Sequence, residues 1–236
     1  VEVQSGSVLF TSGGAFHNLG TARALSGMLT LNAGGSGTGT YESGGLGVVR
    51  FTGGTTTLAG GARLIGPGTN RVEGGTVTVG DAAGAERLEI SSGAVNGAGI
   101  LSITNLFNWT GGSLNQSGMV TLLSEGIGSI SGTAVKGIGF GTFHNQGTLA
   151  WTGTGPFNFG QGIWTNSGTI DIQNDASFVD TFDGAPMVLH NAGTVRKTVA
   201  TGTTPFNNVV LTNHPAGVVE VQSGSVLFTS GGAFHN

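Results

Sequence analysis

The chain has 236 residues, 47 of them Gly, with 8 Lys plus Arg against 12 Asp plus Glu, five His and no Cys. Charged residues make up only 8%, where an ordinary soluble domain carries about a quarter, while 37% hydrophobic content and a net charge of −4 exclude a disordered polyelectrolyte. The Gly-X-Y period of collagen and the long Ala/Glu/Lys/Leu stretches of coiled coils are absent, and the lack of Cys excludes disulfides, iron–sulfur clusters and thiolate zinc sites.

In chain order, short apolar stretches open with Gly: GSVLF at 6–10, GMLTL at 27–31, GGTVTV at 74–79 and GILSI at 99–103. The second half sharpens this into a polar turn, Gly and an alternating strand: NQSGMVTL at 115–122, NQGTLAW at 145–151, NSGTIDI at 166–172, NAGTVRK at 191–197 and HPAGVVEV at 214–221. The anchoring glycines are Gly118, Gly147, Gly168, Gly193 and Gly217. They recur at intervals of roughly 20–30 residues, the length of one solenoid coil. No window of eleven or more residues keeps a 3.6-residue apolar period without being cut by Gly, so helices are excluded. A β-sandwich or barrel would also have short strands, but recurrence at coil length favours parallel stacking, in which each coil adds one strand to each of two or three sheets. Gly would then serve tight corners, and Asn at a corner would stack on Asn of the next coil.

The longest-range feature is an identity. Residues 1–18 read VEVQSGSVLFTSGGAFHN, and residues 219–236 read the same eighteen letters. The period is 218 residues, so residues 1–218 are expected to form one complete unit and 219–236 the start of the next. About ten coils near 22 residues each fill the period, and at about 4.8 Å per coil the expected axial repeat is roughly 48 Å. The expected end-to-end junction is carried by Val1, Val3, Val8 and Phe10 and by their copies Val219, Val221, Val226 and Phe228. Neither end shows the polar cap that keeps a repeat array from adding further copies, so identical repeats or copies of itself, stacked end to end and alongside one another, are the expected partners. The chain starts at Val1 without an initiator Met or a signal-like segment, as expected of a processed product or a fragment.

The Asn-x-Gly-Thr-(Ile/Val)-x-(Ile/Val) repeats, the Gly, Thr, Ser and Asn bias and the lack of Cys resemble the right-handed parallel β-helices of secreted bacterial filamentous haemagglutinins, autotransporter passengers and giant surface adhesins. The resemblance covers the whole chain. It implies an all-β fold, a single right-handed parallel β-helix (solenoid) of about ten to eleven coils with roughly 22 residues per coil. It also implies a location outside the cell or at the cell surface. Such proteins serve as stalks, adhesins and fibres. The long-range duplication departs from this pattern and points to a very long or polymeric structural element.

Site chemistry is sparse. Asp171, Asp175, Asp180 and Asp183 crowd one coil, which makes Asp180 and Asp183 weak candidates for a Ca²⁺ site, or for acid/base cleavage of a polysaccharide. A solvated loop is the preferred reading, and no catalytic or cofactor-binding residue is assigned. His17, His144, His190 and His235 each precede Asn, which marks a structural position; metal ligation would need several of the five histidines on one face. Phe107, Trp109, Phe140, Phe143, Trp151, Phe157, Phe159, Trp164, Phe178, Phe182 and Phe206 form either a ladder inside the solenoid, which is preferred, or an exposed stripe that stacks on sugar rings. Scattered basic residues offer no surface to nucleic acid. No apolar run is long enough for a membrane-spanning helix. The expectation is a non-enzymatic structural fibre. The alternative is an adhesin binding carbohydrate or a host protein, and the least favoured reading is a polysaccharide-cleaving enzyme.

Overall fold

A computed structural model describes residues 1–11, 13–180 and 185–236. These residues hold no helix; parallel strands stack as a β-solenoid of about 11 turns with ~21 residues per turn. The first turn contains β1 (Glu2–Val3), β2 (Ser7–Phe10) and β3 (Phe16–Asn18); the second contains β4 (Thr21–Ala24), β5 (Met28–Leu31) and β6 (Gly35–Gly37). β4 pairs with β1, β5 with β2 and β6 with β3, all parallel, so each turn lays one strand on each of three columns. Three longer strands, Thr69–Val79, Ala82–Gly97 and Ile100–Trp109, run round corners and pair in more than one column, which joins the columns into one continuous hydrogen-bonded sheet.

Period-2 alternation decides what enters the core. In β5, Leu29 and Leu31 are buried between outward Met28 and Thr30, and the pattern repeats at Val49 and Phe51 one turn later. Large aromatic side chains crowd the core from Phe107 onward, and Phe157, Phe178, Phe206 and Phe228 occupy successive rungs of one column, with ring centroids 5.7, 4.4 and 5.2 Å apart. Trp109, Trp151 and Trp164 pack on Phe157 from the sides.

The Asn-x-Gly-Thr motif has a structural cause. Gly147, Gly168 and Gly193 stack at one corner, and a Cβ on Gly168 or Gly193 would come within 2.1 or 2.2 Å of the carbonyl oxygen of the glycine one turn earlier. Those same carbonyls accept ladder bonds: Thr169 N–H donates to Gly147 O and Thr194 N–H to Gly168 O, each at 2.8 Å. Any side chain at this corner would hold adjacent turns apart. Gly118 precedes a strand of a different column, Met119–Leu122, so its wider separation from Gly147 is one turn plus one strand position.

Both copies of the duplicated segment form the same three strands of a turn. Residues 219–236 lie in Val218–Val221, Ser225–Thr229 and Ala233–His235, matching β1, β2 and β3. They do not lie in the same columns. Descending rung by rung from Val219, the register passes through Val195, Ile170, Leu149, Gly128, Phe107, Leu88, Asn70, Val49 and Leu29 and arrives at Val8, ten turns below. Val219 repeats Val1, yet it stands above β2 and not β1. The 218-residue period is therefore ten turns plus one strand position.

Candidate functional site

The two ends show one turn in two environments. At the first, Val3 faces Ala24 of the turn above, Val8 and Phe10 face Leu29 and Leu31, and Phe16 faces Gly35. Leu25, Met28 and Asn32 donate their N–H groups to the carbonyls of Val3, Gly6 and Phe10 at 2.8–2.9 Å. At the other end, Val219, Val226 and Phe228 pack down onto the core, while no turn covers them from above. Val3 is 3% exposed and its copy Val221 48%; Phe16 is 8% exposed and its copy Phe234 44%. Val1, at the lower edge, is exposed. The upper mouth is an apolar cavity of about 140 Å³ lined by Val219, Val221, Val226, Phe228 and Phe234 among others.

An asparagine ladder runs up to this mouth. Asn145 Nδ2 donates to Asn166 Oδ1, Asn166 to Asn191, Asn191 to Asn213 and Asn213 to Asn236, at 2.7–2.8 Å. Three of the side chains also tie down their own corners, Asn145 at Gly147 O and Asn166 at Gly168 O, each at 3.3 Å, and Asn213 at Gly217 O at 3.0 Å, while Asn166 Nδ2 also reaches Thr194 O at 3.1 Å. The ladder satisfies the amide oxygens from Asn166 upward, whereas Asn145 Oδ1 at its foot is buried without a partner among the described residues. Its last rung, Asn236, is the copy of Asn18.

Among the described residues, Asp171, Asp175 and Asp180 each meet different partners. The Asp171 carboxylate accepts from Thr198 Oγ1 at 2.7 Å, Arg196 Nη2 at 3.0 Å and Gln173 Nε2 at 3.1 Å. Burial opposes its ionisation, but these three hydrogen bonds and the guanidinium charge outweigh it and hold the carboxyl below its usual range. Asp175 Oδ1 meets Lys197 Nζ at 2.6 Å, and Asp180 receives the amide of Asn208. Asp183 lies outside the described residues, so the Asp180 and Asp183 pairing is not described. Among the described residues no three His, Asp or Glu side chains group as a metal site.

The histidines sit at outward positions at or near strand ends, beside inward Asn. His144 Nε2 lies 3.2 Å from Ser167 Oγ, and burial holds its pKa below the ordinary imidazole value. His190 Nδ1 lies 3.3 Å from His214 Nε2, and His17 Nδ1 lies 3.0 Å from Ser36 Oγ, so these rings hydrogen-bond to the neighbouring turn on the outer surface. The aromatic residues form the inner ladder: Phe107, Trp109, Phe143, Trp151, Phe157, Phe159, Trp164, Phe178 and Phe206 are buried. Phe140 is exposed, and Phe182 lies outside the described residues. The outer surface bears a shallow groove of about 360 Å³ where Gly137 lies between Ser113 and Asn158 on successive rungs; no ionisable side chain lines it.

Two buried cations escape a reading of the sequence by composition, although strand alternation carries the signal, since both fall on inward positions. Lys197 Nζ donates to Asn174 O, Asp175 Oδ1 and Thr204 Oγ1 at 2.6–3.1 Å. Lys136 sits one rung below Phe157, fully buried, and its Nζ donates only to Ala134 O at 2.8 Å and Gly132 O at 3.3 Å. Burial lowers its pKa, so the folded state disfavours the charged form. Stability should rise with pH across the interval from that lowered value up to 10.5, the ordinary value its side chain regains on unfolding. Lys136→Met keeps the stem and removes the charge. It is expected to stabilise the chain by about 1 kcal/mol or more at pH 7 and to abolish the gain between pH 7 and 10. Urea denaturation at both pH values measures this; a destabilised variant with the pH dependence unchanged would assign Lys136 a different role.

The chain matches no protein-family model, no curated protein and no solved structure.

Proposed function

We propose that this chain is a segment of a non-catalytic tandem-repeat fibre outside the cell, in which β-solenoid units continue one into the next. The carrying observation is the duplicated turn: eighteen identical residues build the same three strands at both ends, covered from above at the first and open at the second. In the first copy this turn is covered by a further turn in parallel register, an arrangement that pairs its strand edges and buries its apolar side chains. Backbone ladders that run from turn to turn in three columns make such a rod stiff along its axis. Scarcity of charge and the absence of Cys are consistent with a load-bearing element stabilised by packing and hydrogen bonds. An adhesin that stacks sugar rings requires exposed aromatics, and of the eleven aromatics considered above nine are in the core.

Electron microscopy of a chain carrying two complete 218-residue units tests the reading. A single unbranched rod, extended by about 50 Å over one unit, is the expected result. Two separate rods joined by a flexible segment, or globular particles, would overturn it.

A further inference from the structure

Resting on that fibre reading, we propose that the next unit stacks on the open turn 219–236 through strands equivalent to β4, β5 and β6, and that each unit is rotated about the axis by one column. The array would then return to its starting orientation only after three units.

The occupant is identified by the first turn. The eighteen residues of the open mouth have an identical copy in this chain, and that copy is covered by β4–β6 in a known register. Ala22, Ala24, Leu29 and Leu31 of those strands are buried there, while Gly35 and Gly37 leave room for Phe16 and Asn18. A Cβ on Gly35 would fall 1.9 Å from the backbone oxygen of Phe16, and one on Gly37 would fall 1.9 Å from that of Asn18, so this covering turn follows the backbone of β3 closely. The same strands would place a leucine over Phe228, as Leu31 stands over Phe10. They would also bring an arginine to Glu220, as Arg23 lies 3.7 Å from Glu2. Unlike charges would then flank Glu220 on both sides, because Arg196 lies opposite it on the rung below.

The rotation follows from the register. Val219 stands ten turns above Val8, and the copies of β1, β2 and β3 pair in the columns of β2, β3 and β1 respectively. Every added unit inherits the same advance of one strand position. Unit-to-unit rise is then about 50 Å, with a turn of about one third of a revolution, and the true axial repeat is about 150 Å. This replaces the expectation that one unit maps onto the next by translation alone.

The test uses a chain of three 218-residue units with Leu9→Cys in each. Leu9 is outward and 56% exposed, and the chain has no other Cys, so a maleimide-linked gold or bulky tag marks one site per unit. Cryo-electron microscopy is expected to show the three tags about 50 Å apart along one rod and at three azimuths. Tags in line along one side of a continuous rod would overturn the rotation while leaving the fibre reading intact. Loss of a continuous rod would overturn both. Hydrogen exchange on a two-unit chain gives an independent readout of stacking: amides of the covering turn in the second unit, the copies of Leu25, Met28 and Asn32, should be as protected as Leu25, Met28 and Asn32 are in the first. Protection confined to the first copy would overturn the assigned occupant.

Discussion

Phe157→Ala should give the largest loss of stability of any single truncation in the aromatic core, about 3–5 kcal/mol. Five rings surround this side chain, those of Trp109, Trp151, Phe159, Trp164 and Phe178, with centroids 5.1–5.7 Å away. Its neighbours are held by backbone ladders and cannot move in to fill the space, so the cavity term adds to the lost transfer energy. Each turn of a solenoid contacts only the turns above and below, which makes the damage local. Hydrogen exchange is therefore a better measure than a global melting temperature. Opening free energies should fall by the stated amount in the strands Lys136–Ile138 and Phe178–Asp180 while those near β5 stay unchanged. Uniform loss along the whole chain would show that the turns open as one cooperative unit.

Replacing Asn166 separates hydrogen bonding from charge within the ladder. Asn166 is nearly fully buried; its Nδ2 donates to Asn191 Oδ1, Thr194 O and Gly168 O, and its Oδ1 accepts from Asn145. Asn166→Ala is expected to cost about 2–4 kcal/mol with little pH dependence, because it strands a buried amide oxygen and two carbonyls. Asn166→Asp has nearly the same shape but replaces the donating Nδ2 with an oxygen that faces three acceptors. Its carboxyl should titrate well above the ordinary aspartate value of about 3.9 in the folded state. The variant is then most stable below that ordinary value and loses stability as pH rises towards the folded value, with the full penalty in place at pH 7. Denaturation at pH 4 and pH 7 checks this; an Asp variant no worse at pH 7 than at pH 4 would mean that the corner opens to water.

Much of this architecture is legible in the sequence because its causes are local. Alternation in stretches such as Met28–Leu31 and the Asn-x-Gly-Thr corners are consequences of strand pleat and of carbonyl crowding at Gly168 and Gly193, and both operate within a few residues. The inward placing of the aromatics follows from the same alternation. The phase of the long repeat is not legible. The anchor spacings mix whole turns with a turn plus a strand, as at Gly118, and a mean coil length cannot resolve one strand in about thirty. Lys136 and Lys197 pass for surface charge in a compositional reading, which counts a lysine without asking which way its strand faces it. Partners of the junction residues Val1, Val3, Val8 and Phe10 depend on register across a whole turn, which only the assembled coil supplies.

A period of ten turns and one strand position would also govern the shape of the proposed filament. Any slight bend built into one unit, from bulky rungs on one side or glycine-rich rungs on another, would add to itself in every later unit if the units shared one orientation. Such a chain would curl into an arc and eventually a ring. Advancing the bend by a third of a revolution per unit cancels it over three units, leaving a shallow corkscrew about a straight axis. In the proposed fibre, straightness over lengths far greater than one unit would then come from a single repeated sequence, even if one unit is slightly bent.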